Sequence, residues 1–126
     1  FTKKIKQWNI HIMIKIIHNP RCRKSRESLE LLQKKNVDFQ IIEYLKTPLL
    51  KQDLERILTI LKIHPEKLIR KNESVYKERY KGKNLSKKEL IDAMINHPIL
   101  IERPIIIKDQ EAVIGRPPEN VLDLFK

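Results

Sequence analysis

Between residues 13 and 44 the chain changes hydrophobic period twice, and this limits its possible folds more than any other feature. Residues 13–18 (Met13-Ile14-Lys15-Ile16-Ile17-His18) are a short apolar, β-branched run, the pattern of a buried strand. Residues 23–35 carry Leu29, Leu31 and Leu32 among charged residues and predict a helix, with Asn36 placed to end it in the left-handed conformation. Residues 39–44 return to the strand pattern. Two strands joined through a helix by short loops imply a right-handed crossover and a parallel pair.

Downstream, Thr47-Pro48 predicts a capping hydroxyl before a proline at the first helical position, followed by Leu50, Leu54, Ile57, Leu58 and Leu61 at helical spacing. Residues 62–88 hold ten basic and three acidic side chains and few apolar anchors, which predicts a short helical turn and an exposed stretch. Ser86-Lys87-Lys88-Glu89 has the form of a capping box and opens a helix that ends near His97-Pro98. Residues 104–107 and 112–115 flank a polar turn and predict a hairpin; Pro117-Pro118 then opens a short terminal helix through Val121, Leu122 and Phe125. The order is βαβ, a helical middle, then ββα. With the middle set aside it is the thioredoxin-type order. The expectation is an α/β fold with a central mixed four-stranded sheet, one domain over residues 13–126 and a helical insertion at about 48–98.

Composition narrows the class. A chain of 126 residues suits one domain with a modest core. No apolar run approaches the roughly 20 residues of a membrane span. One cysteine excludes an intrachain disulfide framework and fits a reducing, cytoplasmic setting. The net charge of +11 invites an anionic partner. Lys, Ile and Asn are abundant throughout, however, so the charge alone carries no nucleic-acid role and none is expected. Residues 1–12 are basic and lack the apolar region and cleavage site of a signal peptide; they are expected to be an N-terminal extension outside the mechanism.

The chemistry centres on Cys22. It stands between the first strand and the first helix, with Arg21, Arg23, Lys24 and Arg26 around it and no acid among them. Cations and a helix N-terminus lower a thiol pKa, and the thiolate is the reactive form. Ser25 occupies the place where dithiol oxidoreductases keep a second cysteine, so any disulfide of Cys22 must involve another molecule's thiol. A buried, inert thiol is the alternative. His18, four residues earlier, either stabilises the thiolate and moves a proton or simply ends the strand. Arg70, Arg103 and Arg116 lie near predicted element boundaries, and the last two directly precede Pro104 and Pro117. Arginine's planar fork suits oxyanions. Any single arginine in so basic a chain also reads as a solvated surface charge.

Four dispersed motifs share one order and spacing: His18-Asn19-Pro20-x-Cys22-x-x-Ser25-Arg26, Leu68-Ile69-Arg70-Lys71-Asn72, residues 97–104 (His-Pro-Ile-Leu-Ile-x-Arg-Pro) and Arg116-Pro117. On these motifs the chain resembles the glutaredoxin-linked arsenate reductase family, over residues 13–126. The resemblance implies a thioredoxin-like fold with a helical insertion and the activity of an arsenate reductase. It implies that Cys22 attacks arsenate, that His18 helps keep the thiol ionised, and that Arg70, Arg103 and Arg116 bind the oxyanion and lower the cysteine pKa. It also implies that Pro104 is the cis-proline facing the site. Glutathione and glutaredoxin are the implied external reductants, with no bound cofactor and no metal, and the protein is expected to act as a monomer. Arg23-Lys24 departs from the small residues that several members carry after the cysteine. Two rival readings stand beside this one: a glutathione-dependent thiol reductase without arsenate activity, and a thioredoxin-fold transcription regulator that docks on RNA polymerase. Ser25 argues against the second, whose relatives commonly use a Cys-x-x-Cys switch.

Overall fold

A computed structural model describes the backbone of residues 2–4 and the whole of residues 14–126; Met13 and most of the predicted extension lie outside the described residues. The strands and helices in chain order are β1 (Thr2–Lys4), β2 (Ile14–His18), α1 (Arg23–Lys34), β3 (Phe39–Glu43), α2 (Lys51–Leu61), α3 (Ser74–Arg79), α4 (Lys87–Asn96), β4 (Ile105–Lys108) and β5 (Glu111–Ile114). Turns of 3₁₀-helix cover Pro65–Lys67, Pro98–Leu100 and Pro118–Phe125. The chain divides into two compact units: Phe1–Thr47 with Arg103–Lys126, and Pro48–Glu102.

The first unit carries the expected mixed sheet, in the order β1-β3-β2-β4-β5. β2 and β3 run parallel, with Ile16 opposite Ile41, as a strand–helix–strand crossover requires. β2 and β4 run antiparallel, with Ile16 opposite Ile106. β4 and β5 form the predicted hairpin, closed by Lys108 opposite Glu111, and Asp109 takes the left-handed conformation at φ 55° that so tight a turn demands. The strand β1 adds a fifth member, parallel to β3 at the edge of the sheet.

β2 is central and buried at every position, Lys15 and His18 included, which accounts for Ile14, Ile16 and Ile17 in it. One face of the sheet packs Ile14, Ile16, Phe39 and Ile106 against Leu32 of α1 and against Val121 and Leu124 of the terminal turns. Helix α1 buries Ser25, Ser28 and Leu32, one stripe at i, i+3 and i+7. Its small N-terminal residues let the helix start lie close to its neighbours. The clearest instance is Gly115, where an added Cβ would fall 2.3 Å from Ser28 Oγ and 2.7 Å from Pro104 Cγ. Asn36 ends α1 at φ 56°, as its position predicts. The terminal segment is 3₁₀ rather than α-helical.

In the second unit, α2 packs on α4, and the 3₁₀ turns Pro65–Lys67 and Pro98–Leu100 also pack on α4. The Ser86 box is present: Glu89 N–H donates to Ser86 Oγ (3.2 Å), and Ser86 N–H donates to Glu89 Oε1 (2.9 Å). Two expectations need correction. Helix α2 begins at Lys51, not at Pro48, because Asp53 supplies the cap: its Oδ2 accepts from Leu50 N–H at 3.3 Å. Thr47 N–H instead donates to Glu43 O and closes the turn after β3. The basic stretch is also better anchored than its composition suggests, since Leu68 is fully buried, Ile69 nearly so, and α3 follows them.

Candidate active site

The loop from β2 into α1 is built by short polar contacts. Asn19 Oδ1 accepts from Arg21 N–H (3.0 Å), and Asn19 O accepts from Cys22 N–H (2.9 Å). Pro20 therefore sits at the second position of a β-turn, where its fixed φ belongs. The turn delivers Cys22 to the N-cap of α1 with extended backbone, and Cys22 O accepts the first helical bond from Arg26 N–H (3.0 Å). Arg26 Nη1 donates back to Pro20 O (3.0 Å), so one of the four local cations braces the loop. Arg23 and Lys24 face Glu27 of their own helix.

Ser25 is fully buried beneath this turn. Its hydroxyl oxygen accepts from Asn19 N–H (3.1 Å) and lies 2.6 Å from His18 Nδ1. A neutral imidazole with its proton on Nε2 accepts from Ser25; an imidazole with the proton on Nδ1 donates to it. His18 is buried at the end of β2 and engages the helix start through Ser25.

Two arginines from the far end of the sequence complete the group. Arg103 is buried immediately before β4, and Arg116 immediately follows the β5–Gly115 stretch. Both precede a cis X-Pro bond, to Pro104 and to Pro117. Gly115 N–H donates to Pro104 O (2.9 Å), which holds the two segments side by side. Arg116 Nε then donates to Arg103 O (2.8 Å), and its Nη2 donates to Cys22 Sγ (3.3 Å). One guanidinium thus spans a backbone carbonyl and the sulfur, which a point-charge ammonium cannot do.

The electrostatics favour the thiolate. Partial burial works to raise the Cys22 pKa, but the Ser25 backbone N–H, a hydrogen bond from Arg103 and the charges of Arg116 and Arg103 outweigh it, and the thiol is held below its ordinary value. The residues alone pointed to the adjacent basic cluster and the helix N-terminus, and the family resemblance added the distant arginines. The groups that lower it are the Ser25 N–H at the helix start, Arg103 and Arg116.

His18, Cys22, Ser25, Arg103, Pro104 and Arg116 all belong to the first unit. Arg70 belongs to the second, where it donates from Nε to Glu73 Oε2 (3.0 Å) and from Nη1 to Glu102 Oε1. Sequence reasoning missed three contributors. Asn19 was readable as an Asx turn before proline. Glu73 was readable from its i+3 spacing to Arg70. Glu102 left no local signal, because its partner is 32 residues away. Among the described residues no cluster of His, Cys, Asp or Glu could hold a metal ion, and no helix is long and apolar enough to cross a membrane.

A thioredoxin-like sheet that presents one arginine-held thiol at a helix N-terminus describes a class, and comparison with known proteins narrows it. The ArsC family model matches residues 17–124, and the chain belongs to that family. It is 44% identical over 113 residues to a protein of Escherichia coli K12 named "Uncharacterized protein YfgD", covering 88% of this chain and 95% of that one. It is 40% identical over 112 residues to the arsenate reductase of Haemophilus influenzae, covering 87% and 97%. The solved structure of an arsenate reductase from Vibrio cholerae superposes with a TM-score of 0.84 at 41% identity, covering 89% of this chain and 97% of that one.

Proposed function

We propose that this protein is a thiol-dependent arsenate reductase of the cytoplasm, in which Cys22 is the nucleophile. The observation that carries the reading is the Arg116 Nη2 to Cys22 Sγ hydrogen bond in a site whose thiol is held below its ordinary pKa. Family membership and similarity to relatives named arsenate reductase support arsenate as the substrate. We read residues 48–102 as an insertion into a single thioredoxin-like domain.

An anionic nucleophile attacking an anionic substrate faces charge repulsion, so convergent cations must hold both. Arg103 and Arg116 serve that purpose beside the sulfur, and Arg70 is assigned to the oxyanion as a third ligand. Pro104 is assigned a structural role at the site, where its carbonyl accepts from Gly115 N–H. Cys22 thiolate forms a bond to pentavalent arsenic, and an arsenate oxygen leaves as water after protonation. Glutathione thiolate then takes the Cys22 sulfur. The sulfur–arsenic bond breaks with its electron pair moving to arsenic, which becomes trivalent, and a Cys22–glutathione disulfide remains. The chain has a single cysteine, so an external thiol such as glutaredoxin must resolve that disulfide. His18 acts as a positioning residue: through Ser25 Oγ it fixes the helix start whose N–H faces the sulfur.

The test is arsenate-dependent NADPH oxidation coupled through glutathione, glutathione reductase and glutaredoxin. Turnover well above a Cys22→Ser control is expected. Equal rates would remove arsenate as substrate. A reactive Cys22 without arsenate turnover would instead support a glutathione-dependent thiol reductase, the reading compatible with the same thiol.

A further inference from the structure

Arg70 and Glu102 are brought together by backbone. An isolated antiparallel bridge pairs Ile69 with Ile101, Arg70 N–H donates to Leu100 O (2.7 Å), and Glu102 N–H donates to Leu68 O (2.9 Å). Ile69 and Ile101 are buried. Alternation along extended chain sends their neighbours to the opposite side, where Arg70 and Glu102 form a diagonal pair within reach of long side chains. Glu102 there accepts from Nη1, while Glu73, the residue before α3, accepts from Nε. All three side chains are partly exposed, at 22%, 26% and 25%. Both carboxylates accept from N–H donors of one guanidinium, so an oxyanion that approaches Arg70 meets donors already in use with two carboxylates beside them.

We propose that Glu102, with Glu73, occupies Arg70 in place of an oxyanion, so that carboxylate and substrate compete for one guanidinium and Glu102 sets the affinity. This rests on the assignment of Arg70 as an oxyanion ligand. The competition is direct, since carboxylates and tetrahedral oxyanions engage the same N–H donors at the same range. A carboxylate that merely oriented Arg70 would have the opposite effect on affinity, so the two roles separate by sign.

The probe is inorganic phosphate, a non-reducible tetrahedral oxyanion, with its binding measured by titration calorimetry on the full chain. Glu102→Gln keeps shape and removes charge. It should tighten phosphate binding about 1.5- to fivefold, the scale of a partly exposed ion pair removed from competition, and lower the arsenate KM in parallel with little change in kcat. Glu73→Gln should act in the same direction and is an independent variant should Glu102→Gln fold poorly. Unchanged or weakened binding in both overturns the proposal. So does a tightening of equal size in an Arg70→Ala background, which would reflect general loss of negative charge. If Arg70→Ala alone leaves phosphate affinity unchanged, it is the oxyanion assignment of Arg70 that fails. If Arg70→Ala weakens binding but Glu102→Gln does not tighten it, only the competition fails.

Discussion

The Cys22 thiol is held below its ordinary pKa by three groups that arrive from different directions: the Ser25 N–H at the helix start, Arg103 and Arg116. Since the folded thiol titrates below its ordinary value, the thiolate persists at pH values where a free cysteine is protonated. The iodoacetamide rate should therefore rise and level off below the reference of about 8.5. By linkage, the stabilisation is fully present above the unfolded thiol's pKa and is lost as pH falls through the lower folded value. Arg116→Ala should move the alkylation midpoint upward, and Arg116→Lys should recover only part of the shift, because lysine cannot reach the Arg103 carbonyl and the sulfur together. Ser25→Ala removes the oxygen that serves Asn19 N–H and His18 Nδ1 in a buried place. It should cost about 1–3 kcal/mol in urea unfolding and also raise the thiol midpoint. At this scale the sequence singled out Cys22, its missing partner at Ser25 and the helix start beside it. Taken alone its residues drew attention to the adjacent cations, because local cations are visible in a sequence and cations brought in by folding are not; Arg103 and Arg116 came only from the family motifs.

Among elements, the most legible were those with a chemical signal at each end. The Ser86 box was readable, and Ser86→Ala should cost about 0.5–2 kcal/mol. The loss should appear as faster amide exchange in the first turn of α4. The start of α2 was misread because Thr47-Pro48 offers the usual signs, while the operative cap is Asp53, whose carboxylate reaches back to Leu50 N–H. Both residues fit a helix start, and the turn after β3 decides between them by engaging Thr47 N–H. β2 was readable as a buried strand because a central strand takes β-branched apolar residues at most positions, here Ile14, Ile16 and Ile17. Ile16→Ala at its centre should cost about 2–5 kcal/mol, seen as a lower denaturation midpoint, since Ile16 is fully buried between Ile41 and Ile106.

For the whole molecule, the proposed mechanism makes turnover depend on a second and a third thiol, because the sequence has a single cysteine. With arsenate and glutathione present but glutaredoxin omitted, the protein should accumulate one glutathione per chain, which intact-mass measurement would detect. Mass unchanged after incubation would contradict the resolving step assigned to glutaredoxin. The helix–strand order and the parallel pair around α1 follow from the sequence itself, because hydrophobic period and turn chemistry are local properties. So does the need for an outside thiol, since residue types do not change on folding. The tertiary structure decided which charges meet the sulfur and which meet each other. Of three arginines with similar motifs, folding aims Arg116 at Cys22, buries Arg103 beside it and sets Arg70 between two glutamates. Partners so far apart in sequence are chosen by strand register and turn geometry, and neither is encoded at any single position.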